Sequence, residues 1–329
     1  MLALAALLFV EHVIAAGKAV NGIAIEGPAL YTWGERLAVR QLPDGAPRVL
    51  RGPGPLLGEG AAVFDIDRDG TADVAALETG GALVWFNGRD GTRHTIDTGV
   101  VTRDVIPAAL FGRRGILLIH KHQQVRFYAI PRDPARPWPP PRDIYSIYTP
   151  SRQGGLLLAD IDRDGRPDIL CGNYWIRSPH SYDLPWRLFA INTWTEEENS
   201  ALLRLAWNGA TLVAAQRERS PARLAWFERH RDVREQWPQH SLDDGLKLAN
   251  LNSAELADFD GDGHADILVA ENAAPGRVMV FRNGTGEVIA RGEPVVRAVT
   301  ADVNRDGRPD VVLLRKYAIS WLESRGAGR

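Results

Sequence analysis

An acidic nine-residue segment recurs four times along this 329-residue chain, and its spacing limits the possible folds more than any other feature. The copies span Asp65–Asp73, Asp160–Asp168, Asp258–Asp266 and Asp302–Asp310, and all of them read Asp-x-(Asp/Asn)-x-Asp-Gly-x-x-Asp. Their first aspartates are 95, 98 and 44 residues apart. Since the first two intervals are about twice the third, we predict that each contains one further repeat without an acidic loop.

A second marker supports a repeat of this length. The pattern His-x-(Ile/Leu)-x-x-Gly begins at His12, His94 and His240, and short apolar runs such as Ile267–Ala270 follow each acidic segment. Four short antiparallel strands in a unit of about 45 residues are typical of a β-propeller blade. Turns at Gly27, Gly112 and Asn208-Gly209 mark the repeats without acidic loops. The sequence therefore predicts an all-β fold, a seven-bladed β-propeller with four antiparallel strands per blade.

The two ends of the chain complement each other. The last repeat stops without a fourth strand, whereas Val10–Gly17 resembles a fourth strand with no repeat before it. Pairing the two would close the ring and remove two free sheet edges. We predict one propeller over residues 10–329, its last blade closed by this N-terminal strand. Residues 1–9 are apolar and are interpreted as the remnant of an export signal, the alternative being that they simply belong to a strand.

Composition excludes several classes of protein. The 39 Lys and Arg residues balance 41 Asp and Glu residues, which argues against a nucleic-acid partner or a polybasic membrane-surface protein. Cys171 is the single cysteine, so an intrachain disulfide and a cysteine metal cluster are both excluded. No apolar run reaches the length of about 18 residues that a membrane-spanning helix needs.

The acidic segments have the pattern of calcium loops. Positions 1, 3, 5 and 9 supply side-chain oxygens, position 7 supplies a carbonyl oxygen, and the glycine at position 6 allows a sharp bend. Oxygen ligands without Cys or His select Ca²⁺ over transition metals. The alternative is an ordinary Asp-Gly turn. We predict up to four Ca²⁺ ions, with Asn304 weakening the last site. The predicted ligands are Asp65, Asp67, Asp69, Asp73, Asp160, Asp162, Asp164, Asp168, Asp258, Asp260, Asp262, Asp266, Asp302, Asn304, Asp306 and Asp310.

With these four loops the sequence resembles the FG-GAP, or VCBS, repeats of the integrin alpha-subunit headpiece and of many bacterial extracellular proteins. The resemblance implies seven-bladed propellers in which calcium loops join the first and second strands on one face. It also implies a structural role for the metal and a binding role for the opposite face. A secreted or periplasmic location is therefore expected. No single activity is implied, because propellers host lectins, lyases and receptors alike.

Polar residues at the predicted ends of the second strands suggest a ligand site opposite the calcium loops. An aromatic segment, residues 173–186, is predicted as a loop on that same face, where it either holds a partner or plugs the channel. The alternative for the strand ends is ordinary polarity where strands meet solvent. The predicted ligand-binding residues are Glu78, His120, Asn173, Trp175, Arg177, His180, Gln216, Glu271 and Arg315.

Three functions remain open from the sequence. The favoured one is a calcium-stabilised module that binds a glycan or protein at the cell envelope. The second is a polysaccharide lyase that uses His120, Lys121 and Arg315 at the channel mouth, although standard catalytic motifs such as Gly-x-Ser-x-Gly are lacking. The third is a scaffold whose partner is another chain of a surface assembly. We expect binding rather than catalysis.

Overall fold

A computed structural model of the chain describes residues 7–16, 19–149, 151–194 and 202–327. These residues form 28 β-strands, and the described ranges contain no helix. The strands make seven separate sheets of four antiparallel strands each. The predicted all-β, seven-bladed propeller is therefore confirmed.

The first three blades are continuous in sequence. Blade one consists of β2 (Val20–Glu26), β3 (Ala29–Gly34), β4 (Leu37–Gln41) and β5 (Arg48–Arg51). Blade two consists of β6 (Leu57–Phe64), β7 (Asp73–Glu78), β8 (Ala82–Phe86) and β9 (Arg93–Asp97). Blade three consists of β10 (Val105–Leu110), β11 (Arg113–His120), β12 (Gln124–Ala129) and β13 (Arg142–Ser146).

Three more blades follow in the same order. Blade four consists of β14 (Leu156–Ala159), β15 (Asp168–Cys171), β16 (Tyr174–Arg177) and β17 (Arg187–Ala190). Blade five consists of β18 (Leu203–Trp207), β19 (Thr211–Gln216), β20 (Leu224–Glu228) and β21 (Gln239–Ser241). Blade six consists of β22 (Leu251–Ala257), β23 (Asp266–Glu271), β24 (Val278–Arg282) and β25 (Thr285–Ala290).

Blade seven joins the two ends of the chain. It consists of β26 (Val295–Ala301), β27 (Asp310–Arg315), β28 (Ala318–Ala327) and β1 (Leu7–Ala16). Strand β1 pairs antiparallel with β28, with His12 opposite Trp321, so the predicted closing strand is confirmed. It starts at Leu7, earlier than predicted, and Phe9 packs against Phe259 at 6.0 Å. Leu7–Phe9 therefore belong to strand β1, whereas residues 1–6 and Gly17 lie outside the described residues, and the export signal stays a prediction.

The first strand of each blade lies nearest the axis. Strands β2, β6, β10, β14, β18, β22 and β26 contact one another in a closed ring. Seven apolar clusters lie among the described residues, and each draws on two neighbouring blades. Second strands such as β23 and β27 are buried along their whole length, because each is covered on both faces by an adjacent blade. Burial between blades thus holds the ring together.

The histidine marker has a packing explanation. His12, His94 and His240 each lie on the fourth strand of a blade, directly opposite a tryptophan of the third strand. The rings stack at 4.6, 4.4 and 3.7 Å between centroids. Cross-strand aromatic pairs of this kind stabilise sheets. The marker therefore identifies the outer strands, as the sequence predicted.

The described residues include no helix long and apolar enough to cross a membrane.

Candidate metal centres

The four acidic segments are the connections between first and second strands in blades two, four, six and seven. Because equivalent connections of a propeller emerge at one end of the ring, all four lie on one side of the molecule, here called the loop face. The opposite end is called the far face. The predicted position of the loops on a single face is confirmed by this topology.

The acidic segments are called loops one to four in chain order, from Asp65–Asp73 to Asp302–Asp310. In each loop, backbone N–H groups surround the first aspartate. In loop one both carboxylate oxygens of Asp65 accept backbone N–H groups, from Asp69 and Gly70, at 3.1 Å. Asp160 accepts from the equivalent Asp164 and Gly165 at 3.0 Å. The glycine at position 6 has a φ of 86° in loop one, a left-handed conformation that costs a side-chain-bearing residue energy. The Asp-Gly spacing therefore produces the sharp bend predicted from the sequence.

Carboxylates converge within the loops. One oxygen from each member of a triad lies within 4.8 Å of the other two, and the triads are Asp65, Asp67 and Asp73; Asp160, Asp162 and Asp168; and Asp258, Asp260 and Asp262. In loop four an amide, Asn304, stands at position 3. Clustered carboxylates repel one another in the absence of a cation. A bound cation would remove that repulsion.

The aspartate at position 9 anchors each loop to its blade. Asp73 is fully buried and accepts N–H groups from Ile66 at 2.8 Å and Gly88 at 2.7 Å. Burial raises the pKa of Asp73 to about 6, even though these hydrogen bonds act to lower it. Burial likewise raises the pKa values of Asp168 and Asp266 to about 6. A cation beside these carboxyl groups would stabilise their charged forms.

A residue of the third strand, or the residue directly after it, contacts position 3 of every loop. Asn87 donates to Asp67 at 2.8 Å, and Arg177 donates to Asp162 at 2.6 Å. Arg282 donates to Asp260 at 3.2 Å. In loop four the donor and acceptor roles are reversed, since Asn304 at position 3 donates to Glu323 at 3.5 Å. Glu323 therefore places a carboxylate beside loop four, where position 3 lacks one. In loops two and three, Arg177 and Arg282 offset the negative charge of the carboxylate at position 3.

The donor set fits a hard divalent cation. It consists of carboxylate, amide and carbonyl oxygens, the ligands that Ca²⁺ takes in proteins. In loop two the Asp162 Oδ1 atom is buried and has no hydrogen-bond partner, although the equivalent Asp67 Oδ1 accepts the N–H of Asp69 at 3.1 Å. A buried carboxylate oxygen without a partner is costly unless a cation supplies one. When bound, the ion would neutralise the clustered carboxylates and fix the loop.

Sequence comparison agrees with this geometry. Residues 258–313 match the FG-GAP-like repeat. The matched residues cover loops three and four, the last three strands of blade six, and β26 with the first part of β27 in blade seven. The resemblance stated from the acidic loops is thus confirmed over these residues. No curated protein sequence matches the chain.

Solved structures share the fold of this chain at low identity. YCF48 from Cyanidioschyzon merolae superposes with a TM-score of 0.61 at 10% identity, covering 95% of this chain and 98% of the other. Sqt1 from Saccharomyces cerevisiae has a TM-score of 0.59 at 12% identity, covering 96% and 97%. These similarities concern the fold alone. Together with the repeat they support an interaction-type β-propeller module.

The polar residues that were predicted to bind a ligand at the ends of the second strands are buried in the structure. Glu78, His120, Asn173, Gln216, Glu271 and Arg315 do lie at the far-face ends of second strands, but they are only 0% to 6% exposed. They lie one strand away from the channel, because the first strands line it. Several are held by their own blade: Arg93 binds Glu78 at 2.7 Å and Arg277 binds Glu271 at 2.6 Å. Their polarity serves these internal contacts.

The aromatic segment of blade four is also placed differently. Residues Tyr174–Arg177 form strand β16, so the long loop is residues 178–186 and lies on the loop face, not the far face. Trp175 is 1% exposed and stacks on Phe189 at 4.8 Å, while Arg177 pairs with Asp162. His180 is exposed in the loop. The prediction that residues 173–186 form one loop on the far face is therefore wrong, because Gly172-Asn173 is a tight turn and a strand follows it.

The residues of the lyase hypothesis are not brought together. His120 and Lys121 end strand β11 in blade three, whereas Arg315 ends β27 in blade seven, and these blades are not neighbours. Burial lowers the pKa of His120, and Arg315 donates to the carbonyl of Glu293 at 2.5 Å.

Sequence reasoning missed a charged network in the central channel. The channel encloses about 380 Å³ between the first strands. Arg204 donates to Glu59 and, at 3.3 Å, to Asp104, while Arg217 binds Glu59 at 2.6 Å. Burial acts to raise the pKa of Glu59, but these two arginines hold it below its usual range. The network ties blades two, three and five across the axis. Its signal is the charged residue inside four of the first strands, namely Glu59 in β6, Arg204 in β18, Glu255 in β22 and Arg297 in β26.

Proposed function

We propose that this chain is a calcium-stabilised β-propeller that acts as a binding module in a secreted or periplasmic setting. The observation that carries the metal part is the convergence of three carboxylate triads, each within 4.8 Å, at equivalent blade connections. The role of the ion is structural, because the loop carboxylates are committed to it. Loops of this type bind calcium in the range found outside cells, which supports the setting.

The far face is the proposed ligand surface. Leu56 (41% exposed), Val101 (48%), Tyr148 (88%) and Tyr317 (51%) lie in connections on that face. Leu56 and Val101 line a groove of about 550 Å³ between blades two and three. Exposed apolar side chains around a groove are typical of interaction sites. They favour a protein ligand over a glycan. Binding is therefore assigned to the far face because of these exposed side chains, and no longer because of the aromatic segment of blade four.

Calcium titration of the apo protein tests the metal part. Variants of the third-strand residues that contact position 3 of the loops provide a more specific test. We expect four ions per chain. Glu323→Gln should weaken binding at loop four, and Arg282→Gln should strengthen binding at loop three, each by roughly tenfold, because one charge near the ion changes. Isothermal titration calorimetry measures both. His12→Gln is the matched control, since it removes a 3.0 Å partner of Glu323 but keeps the carboxylate. Absence of calcium uptake would contradict the proposal.

A photo-crosslinking amino acid tests the ligand surface. We expect incorporation at Val101 to capture cell-envelope proteins as discrete adducts, because this position borders the far-face groove. Incorporation at Val49 is the control, since it is similarly exposed (53%) but lies on the outer strand β5. Gel electrophoresis with mass spectrometry identifies the adducts. Equal adducts at both positions, or adducts at Val49 alone, would place the ligand elsewhere.

A further inference from the structure

A basic pocket lies beside loop one on the loop face. It encloses about 410 Å³ between blades two and three, formed by loop one, the β10–β11 turn and the proline-rich segment after β12. Four arginines line it, Arg68, Arg113, Arg114 and Arg132, against one acid, Asp67. The guanidinium group of Arg113 lies over Tyr182 of blade four. Three guanidinium groups and one carboxylate therefore remain between blades two and three, a net charge of about +2 at neutral pH.

The positive charge of this pocket is not neutralised by the protein. Among the described residues, no carboxylate forms an ion pair with any of the four arginines. Nearby acids have other partners: Asp67 accepts from Asn87 at 2.8 Å, Asp69 pairs with Arg89 at 3.2 Å, and Asp133 pairs with Arg136 at 3.5 Å. Unpaired guanidinium groups facing a concave surface attract anions.

Two of the four arginines are held in place by packing. Arg114 donates to the carbonyl of Asp65 and lies over the ring of Phe64 at 5.9 Å. Arg113 lies over the ring of Tyr182 at 4.3 Å. In these contacts Arg114 donates to one carbonyl group, and both arginines pack against aromatic rings through the faces of their guanidinium groups. The remaining N–H edges are available to a ligand, and a pre-positioned guanidinium loses less entropy on binding.

The proline-rich segment forms a fixed wall of the pocket. The carbonyl of Pro134 accepts the indole N–H groups of Trp85 at 3.3 Å and Trp138 at 3.0 Å. This double anchor ties the segment to blade two and places Arg132 at the pocket. The segment therefore holds one side of the pocket in a fixed position.

We propose that this pocket binds a small ligand through a sulfate or phosphate group. Guanidinium groups donate paired hydrogen bonds to such oxyanions, and a pocket with a net positive charge suits a sulfate ester with one negative charge or a phosphate ester with up to two. The volume falls within the range of small-molecule sites, about 300–1,000 Å³. This site is separate from the far-face surface, and it shares loop one with the first of the proposed calcium sites.

Titration calorimetry with glucose 6-sulfate and glucose 6-phosphate tests the proposal on the full chain, with glucose as the uncharged comparison. We expect saturable binding of one sugar ester per chain and none of glucose, and the tighter ester identifies the oxyanion. The double variant Arg68→Gln/Arg132→Gln should bind at least tenfold more weakly, since both side chains are exposed and the fold should be unaffected.

The control variant is Arg36→Gln/Arg291→Gln. It removes the same charge from exposed arginines in far-face connections. We expect its affinity for the esters to stay within twofold of the parent, and the melting temperatures of both variants to match the parent. Absence of saturable ester binding would overturn the proposal. Equal weakening in both variants would also overturn it, because only net charge would then matter. Calcium titration of the same samples separates this outcome from failure of the metal proposal.

Discussion

Removal of calcium is expected to lower the melting temperature by about 15 °C, given the entropy of unfolding typical of a chain of this length. A ligand at 100 times its Kd stabilises the folded state by about 2.7 kcal/mol, so four independent sites contribute about 11 kcal/mol. The physical reason is the repulsion within the carboxylate triads and the burial of the position-9 aspartates. Calorimetric melting with and without a chelator measures the shift.

A matched variant separates site-specific binding from other effects of the chelator. Replacing Asp69, Asp164, Asp262 and Asp306 by Asn preserves shape while removing one charge from each loop. We expect this variant to melt at nearly the same temperature with and without chelator. If the parent protein also shows no shift, the four loops are Asp-Gly turns held by their own hydrogen bonds, and calcium has no structural role.

Trp175→Ala is expected to destabilise the protein by about 3–5 kcal/mol, the usual cost of emptying a large aromatic site in a core. Trp175 is 1% exposed and lies between blades four and five with Leu170, Trp194 and Leu212. Its loss leaves a cavity that strands paired on both sides cannot readily fill. Chemical denaturation with a fluorescence readout measures the change in the free energy of unfolding.

His180→Ala is the control for this substitution. His180 is exposed in the loop of residues 178–186, so we expect its replacement to change the free energy of unfolding by no more than about 0.5 kcal/mol. A neutral Trp175→Ala would show that the side chain is not part of the core, and would restore the idea that it belongs to an accessible surface.

Repeated features were predictable from the sequence. The four acidic segments and the histidine marker set the repeat length, and the unmatched Val10–Gly17 segment indicated how the ring closes. These signals depend on local patterns that recur in register. Strand β1 differs only in starting at Leu7, because apolar residues before Val10 continue the pairing with β28.

Placement of the blade-four segment could not be predicted in the same way. The turn at Gly172-Asn173, with a φ of 57° at Gly172, returns the chain at once, so Tyr174–Arg177 pairs with β15. Reading residues 173–186 as one loop put its aromatic residues on the wrong face. The run Tyr174–Ile176 was the available signal, since it is apolar and follows a glycine turn.

Contacts between distant repeats also could not be predicted from the sequence. Arg204 and Glu59 are 145 residues apart, and their pairing depends on two first strands facing each other across the axis. Asn304 illustrates the same limit within one blade. Its position alone predicted a weaker fourth site, whereas Glu323 from the third strand brings a carboxylate to the same place. Such compensation is visible only once the strands are paired.

Anomalous diffraction from crystals grown with calcium tests the central claim most directly, because it locates ions without relying on stability or affinity. We expect an anomalous difference peak within each of the four loops, with oxygen ligands at about 2.3–2.6 Å. Loop four should show its peak close to Glu323 as well as Asp302 and Asp306. Crystals that diffract well and show no peak at any of the loops would contradict the account.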